Sequence, residues 1–301
     1  MTLLHTHTEE GLRGFLDEVL LHGLLDTLKL IPFLFLTYLL MEFIEHKASK
    51  KTTAFIKKAG VFGPIPASLV GAIPQCGFSA AAANLYTGRV ITVGSLVAVF
   101  LSTSDEMLPI LLSGGFPITD ALIIVAYKAL AAVAVGFAVD GMLRLFGKER
   151  EDINIDELCD RDDCHCERGI FHSALHHTFT TGLFVFLVTI FINALIFFVG
   201  EETLEMIMYN KPVISHLIAA VFGLIPNCAA SVTLATFAKE GLVTAGTMIA
   251  GLFSGSGVGL LVLFKTNKNL KKNLTITALL VITGFAFGLL ADCIPLLANL
   301  I

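Results

Sequence analysis

Two short segments of this chain carry the same unusual set of side chains. Gly-Ala-Ile-Pro-Gln-Cys-Gly-Phe-Ser at 71–79 returns 152 positions later as Gly-Leu-Ile-Pro-Asn-Cys-Ala-Ala-Ser at 223–231. In each, a helix-breaking proline (Pro74, Pro226) frees a backbone carbonyl, and a carboxamide (Gln75, Asn227) offers both donor and acceptor. The cysteine that follows (Cys76, Cys228) supplies a soft sulfur ligand for Zn²⁺, Cd²⁺ or trivalent arsenic. Ser79 and Ser231 add a hydroxyl one turn later. The plainer explanation is that small residues are needed where helices cross closely, cysteine then acting as a small apolar side chain. Duplication of the whole Pro-x-Cys step favours ligation.

The likeness continues without a gap, with 13 of 41 positions identical between 71–111 and 223–263. The matches include Thr92/Thr244, Gly94/Gly246, Ser102/Ser254 and Ser104/Ser256. Where the repeat fails is equally informative. Asp105, Glu106 and Lys128 stand where the second half has Gly257, Val258 and Leu280. All three fall in apolar stretches, where an ionisable group needs a partner and marks a functional site by default. An ion pair of Lys128 with Asp105 or Glu106 could simply lock two helices. It could also be a proton or cation site in which Lys128 holds the carboxylate charge until substrate displaces it.

Other ligand-type residues are less specific. His176 and His177 open the first span of the second half and could ligate metal or relay protons. Paired histidines at a membrane interface are also commonplace. His172 and His176 would share a face if that helix begins early. Cys159, Cys164, His165 and Cys166 fall among Asp160, Asp162 and Asp163, a complete zinc ligand set in non-standard spacing. Metal capture there stands beside an ordinary polar linker. Asp140 and Asp292, equivalent through the repeat, are expected to anchor helix ends.

Positioning these groups falls to elements whose nature the composition fixes. The 301 residues are 55% hydrophobic and 15% charged, with 24 Phe, no Trp and a mean hydropathy of +0.81. A soluble domain cannot hide that much apolar surface. The net charge of −5 comes without a basic face, which argues against nucleic-acid binding. No phosphate-binding Gly-x-x-x-x-Gly-Lys loop, His-Glu-x-x-His or Gly-x-Ser-x-Gly motif is present, so the chain reads as no enzyme.

The chain divides into an amphipathic interfacial helix at 1–23, a first membrane repeat at 24–146, a Cys/His/acidic insert at 147–175 and a second repeat at 176–301. Spans are expected at 24–44, 90–112 and 117–146, then at 177–200, 242–264 and 273–299. Segments 61–87 and 213–238 read as Pro-broken, re-entrant, hairpin-like helix pairs. The total is about ten membrane segments, long enough by the usual ~20-residue criterion or half of it.

Charge placement relates the halves. Loop 46–58 carries Lys47, Lys50, Lys51, Lys57 and Lys58, whereas its counterpart 201–211 carries Glu201, Glu202 and Glu205 with one lysine. Loop 265–272 carries Lys265, Lys268, Lys271 and Lys272, and its counterpart 113–118 has no charge. The positive-inside rule therefore puts equivalent loops on opposite sides, with the insert cytoplasmic and both termini external in the cell membrane. The expected fold is all-α and polytopic, with two inverted-topology repeats whose tips meet near mid-membrane.

Gly-x-Ile-Pro-x-Cys-x-x-Ser in both halves, His176-His177-Thr178 and Ser102-Thr103-Ser104-Asp105-Glu106 together resemble the ten-transmembrane heavy-metal exporters. Members of that family carry labels of arsenic efflux protein or manganese transporter, and the tip motif is also similar to that of the arsenic-efflux permeases. The resemblance covers nearly the whole chain apart from the Cys-rich insert. It implies a secondary transporter exporting a divalent metal or metalloid of the Mn, Zn, Cd or arsenic class.

On that reading Cys76, Cys228, Gln75, Asn227, Ser79, Ser231, Ser102, Ser104, Ser254 and Ser256 face substrate. Asp105, Glu106 and Lys128 carry proton coupling, and metal contacts fall to Cys76, Cys228, Asp105, Glu106, His176 and His177. No resident cofactor is expected, apart from zinc if the 159–166 insert binds it. Partners are the lipid bilayer, the metal substrate and protons, with a homo-oligomer compatible and nucleic acid excluded. A second reading is transport of an anion or small organic acid by re-entrant helix dipoles and Lys128. A third is a passive ion channel or a metal sensor.

Overall fold

The protein is described from a computed structural model that covers residues 22–47, 62–73, 76–103, 111–112, 117–145, 170–199, 212–225 and 228–298. Among these residues every regular element is helical. In chain order they are α1 (His22–Lys47), α2 (Pro64–Gly71), α3 (Cys76–Thr87), α4 (Val93–Ser102), α5 (Ile118–Leu145) and α6 (Ile170–Val199). There follow α7 (Pro212–Phe222), α8 (Cys228–Lys239), α9 (Ala245–Ser254), α10 (Gly259–Thr266), α11 (Leu270–Cys293) and α12 (Pro295–Ala298).

Among the described residues, four helical runs are long and apolar enough to cross a bilayer: Ile118–Leu145, Phe171–Phe191, Leu270–Cys293 and, counted across its interruption, Ala245–Thr266. Their outward faces are greasy rather than polar. On α6, Phe171, Leu175, Phe179, Leu183, Leu187 and Phe191 are all exposed at a spacing of four, forming one continuous apolar stripe. The exposed residues Leu122 and Leu130 of α5 and Leu274, Ile282 and Leu290 of α11 repeat every second turn. Stripes of this kind would be untenable against water and are natural against lipid. The chain is a polytopic integral membrane protein.

Two helices are the reverse case. α4 is buried from Gly94 to Ser102 and α9 along its whole length. α4 packs against α2 and α5, α9 packs against α7 and α11, and α4 and α9 also touch each other. Beside this pair, α1 packs on α6 and α3 packs on α10. Helices from the two halves of the chain are thus interleaved at the centre.

Local chemistry explains where α4 and α9 begin. Thr92 and Thr244 are N-caps, their hydroxyls accepting from Ser95 N and Thr247 N at 3.0 and 3.1 Å. A carboxylate from the neighbouring long helix then satisfies a further orphan donor. Asp140 accepts from Gly94 N at 2.8 Å and Thr92 Oγ1 at 2.7 Å. Asp292 accepts from Gly246 N and Thr244 Oγ1, both at 2.8 Å. The expected anchoring by Asp140 and Asp292 is present in full.

Several expected boundaries differ. The span expected over 90–112 leaves helical geometry at Thr103, whose φ and ψ are −51° and 120°. The span expected over 242–264 is not continuous, since α9 stops at Ser254 and α10 starts at Gly259. The Ser-Gly-Ser-Gly run explains that break, because Gly257 takes φ +53°, a conformation closed to most side chains. α6 begins at Ile170 rather than near 177, and α11 begins at Leu270 rather than 273. Pro295 closes α11 early: the helix ends at Cys293, and Pro295–Ala298 form a separate turn. Segments 61–87 and 213–238 do read as two half-length helices each, α2/α3 and α7/α8.

Candidate functional site

The centre of the molecule is built on the carboxyl ends of α4 and α9. Lys128, near the middle of α5 and 1% exposed, donates from Nζ to Thr103 O at 2.6 Å and to Leu252 O at 2.5 Å. These carbonyls belong to the terminal turns of α4 and α9, where a helix leaves its acceptors unpaired and its dipole is negative. One ammonium therefore satisfies two interrupted helices from opposite halves of the chain. Its Nζ also lies 5.9 Å from the Phe253 ring centroid. The expected role for Lys128 was counter-ion to Asp105 or Glu106. Those two carboxylates, with Ser104, lie outside the described residues, although Thr103 puts Lys128 two positions from Asp105 in sequence.

Hydroxyls cluster at the same level. Ser102 Oγ donates back to Ala98 O at 2.7 Å, and Ser254 Oγ donates to Gly251 O at 3.0 Å. Both hydroxyls therefore spend their proton on their own helix. Ser256 differs, being 1% exposed with an Oγ that has no hydrogen-bond partner among the described residues. A buried hydroxyl without a partner is costly, so this Oγ stands out as a donor and acceptor that no described group takes up.

The approaches to the two Pro-x-Cys tips come to this place as well. A Cβ on Gly71, at the end of α2, would collide with Ser102 Oγ and Val99 O. A Cβ on Gly223, just after α7, would collide with Ser254 Oγ and Gly251 O. Gly71 and Gly223 thus sit against the carboxyl ends of α4 and α9. Pro74, Gln75, Pro226 and Asn227 lie outside the described residues, as do the side chains of Cys76 and Cys228. The backbone of those cysteines opens α3 and α8. Ser79 is buried in α3 against Gly259, whose added Cβ would strike it, and Ser231 is half-buried in α8.

His176 and His177 are not brought to the centre as a pair. Successive residues of α6 point about 100° apart. His176 is exposed, while His177 is buried and stacked on Tyr38 at 5.3 Å between centroids. Tyr38 Oη in turn lies 2.7 Å from Thr181 Oγ1 and 3.4 Å from Asn84 Oδ1. His177 therefore belongs to a polar seam between α1, α3 and α6. Among the described residues no three His, Cys, Asp or Glu side chains gather closely enough to hold a metal ion. The insert residues Cys159, Cys164, His165 and Cys166 and the amphipathic stretch before His22 lie outside the described residues.

One group was missed in the sequence. His216, 1% exposed in α7, sets Nε2 3.0 Å from Asp292 Oδ2 and Nδ1 3.3 Å from Thr247 Oγ1. The signal was available, since the position 152 residues earlier is Pro64. That position lies outside the 71–111 and 223–263 stretches over which the two halves match most clearly.

A family model described as "Putative, 10TM heavy-metal exporter" matches residues 17–196. Neither curated proteins nor solved structures give a match.

Proposed function

This chain belongs to the 10TM heavy-metal exporter family, and from that premise we propose that it is a proton-coupled secondary transporter working by alternating access. Its cargo is a divalent heavy metal or a metalloid species. The observation that carries this reading is the meeting of two interrupted helices, α4 and α9, on Lys128 in the buried centre. Half-helices whose ends face each other inside a bilayer protein create fixed partial charges and unpaired acceptors where an ion can be desolvated.

The lysine-rich loops are consistent with an inverted relation of the halves. So is the recurrence of the Thr92–Gly94–Asp140 hydrogen bonds at Thr244–Gly246–Asp292. Under that relation the carboxyl ends of α4 and α9 approach the midplane from opposite sides. Ser256, Cys76, Cys228, Gln75 and Asn227 would surround the cargo there. Asp105 or Glu106 would exchange protons for metal while Lys128 keeps the two helix ends together. The halves then rock about the pseudo-twofold axis.

Reconstitution into proteoliposomes tests this reading. Mn²⁺, Zn²⁺, Cd²⁺ or arsenite should move against its gradient when a pH gradient is imposed. Glu106→Gln together with Asp105→Asn should abolish the proton dependence, and unchanged transport would remove these residues from coupling.

The amino-terminal ends of α3 and α8, which begin at the tip cysteines, are what favours the anion reading. Cys76→Ser with Cys228→Ser separates the two: thiophilic metal transport should be lost and anion transport spared.

A further inference from the structure

His216 has the geometry of a group that binds and releases a proton, and nothing in the metal site requires it. The geometry points to His216 and Asp292 as a second proton site, placed at the outer mouth of the carrier. This assignment rests on the transporter reading for its sidedness alone. By the lysine distribution, α11 enters from the cytoplasmic loop 265–272 and so ends at Asp292 on the outer side.

The surroundings of the imidazole suit both protonation states. In the neutral state Nδ1 accepts from Thr247 Oγ1 at 3.3 Å, and Nε2 lies 3.0 Å from Asp292 Oδ2 without the alignment of a hydrogen bond. After proton uptake Nδ1–H donates to Thr247 Oγ1 instead. The Thr247 hydroxyl then turns its hydrogen to Ser215 Oγ at 3.2 Å or Thr244 Oγ1 at 3.1 Å. Only one N–H bond forms, and rotating a hydroxyl completes the change without moving a heavy atom. Access is one-sided: His216 is 1% exposed, but the Asp292 side chain is 29% exposed. A proton can enter through the carboxylate.

Among the described residues, few other ionisable groups stand on the elements around the pair, and the helix α8 that also packs on α9 opens at Cys228. α9 and α7 contribute none besides His216, and α11 brings Asp292 and the exposed Cys293, with Lys271 and Lys272 at its opposite end. Lys239 and Glu240, both exposed, stand at the turn leading to Thr244. α4, which touches α9, has no ionisable residue, and neither has α12.

The matching cap in the first half cannot do this. Asp140 holds Thr92 and Gly94 in the same way, but residue 64 is a proline. The asymmetry gives the carrier a titrating cap on one side only. Asp292 holds the first turn of α9, and the Leu252 carbonyl taken by Lys128 lies about 9 Å further along the same helix, in its last turn. Neutralising the carboxylate by an imidazolium changes its hold on that strut, so proton occupancy outside is felt at the central site.

The test uses the full chain in nanodiscs with ¹⁵N-labelled histidine, the His216 signal being identified by its loss in His216→Gln. The expected result is a change in the His216 ring-nitrogen shifts over the pH range in which the protein stays folded, altered in Asp292→Asn and retained in Glu106→Gln. In proteoliposomes His216→Gln should lose the dependence of transport on external pH while keeping its dependence on internal pH. Fixed ring-nitrogen shifts across that range, or an unaltered external profile in His216→Gln, would overturn the assignment. If His216→Gln does not assemble, Asp292→Asn keeps the imidazole and must still alter the titration. Loss of coupling in Glu106→Gln with an intact His216 titration separates this site from the central one, and so does the reverse.

Discussion

Lys128 shows how one residue can tie sequence asymmetry to three-dimensional order. The repeat has Leu280 at the equivalent place, so the ammonium is a deliberate departure, and its two carbonyl partners come from separate halves. Burying a charge is costly unless hydrogen bonds satisfy it, and here they join two helix ends that would otherwise carry orphan acceptors. Lys128→Met should leave both carbonyls buried and unpaired, at roughly 1–3 kcal/mol each. The expected outcome is a clear drop in the thermal unfolding midpoint measured in detergent, together with loss of transport. An unchanged midpoint would mean that the carbonyl bonds contribute nothing.

At the scale of the element, α4 and α9 are built alike: a threonine cap, a carboxylate from the adjacent long helix, a buried body and a glycine-lined carboxyl end. Each cap supplies charge-assisted bonds to a backbone N–H and a hydroxyl, worth about 1.5–3 kcal/mol for a bond to a charged group. Asp140→Asn turns part of the acceptor into a donor facing Gly94 N and should destabilise the protein by a similar amount. Because no histidine adjoins Asp140, its variant should leave the external pH profile of transport as in the wild type. That contrast with His216→Gln separates a structural cap from a titrating one.

The close approach of Gly71 and Gly223 to the carboxyl ends of α4 and α9 makes a further demand on the same elements. Gly223→Ala puts a methyl group into Ser254 and the Gly251 carbonyl, and overpacking of this kind costs about 1–3 kcal/mol. Thermal unfolding of Gly223→Ala and of Gly71→Ala, its counterpart against Ser102, should show comparable losses.

At the scale of the whole molecule, the exposed apolar stripes of α5, α6 and α11 fix which surface meets lipid, and the proposed orientation places the lysine-rich loops inside. Cys293 is an exposed thiol at the end of α11. A membrane-impermeant maleimide applied to intact cells should therefore label it from outside, in a variant whose other cysteines are replaced. A cysteine introduced at Lys268 should be labelled only after permeabilisation. Labelling on the opposite sides would reverse the orientation, and labelling of both from outside would remove α11 as a span.

Composition, periodic apolarity and the doubled Pro-x-Cys step were enough to read a helical membrane protein, its half-length helices and its metal-exporter family. These are local or compositional properties, set by how many apolar residues a bilayer needs and where proline forbids a helix. The anchoring role of Asp140 and Asp292 was also legible, because the same residue recurred at the same offset. Three things depended on the tertiary arrangement. The break at 255–258 is a Gly-Ser-Gly-Val step inside an otherwise apolar run, and it is decided by Gly257 taking φ +53° where the chain packs at the centre. The partners of Lys128 are backbone carbonyls, which have no sequence signature. His216 meets Asp292 across 76 positions of chain. Such a contact exists only because α7, α9 and α11 pack together, and helix packing is a property of surfaces in space rather than of spacing along the chain.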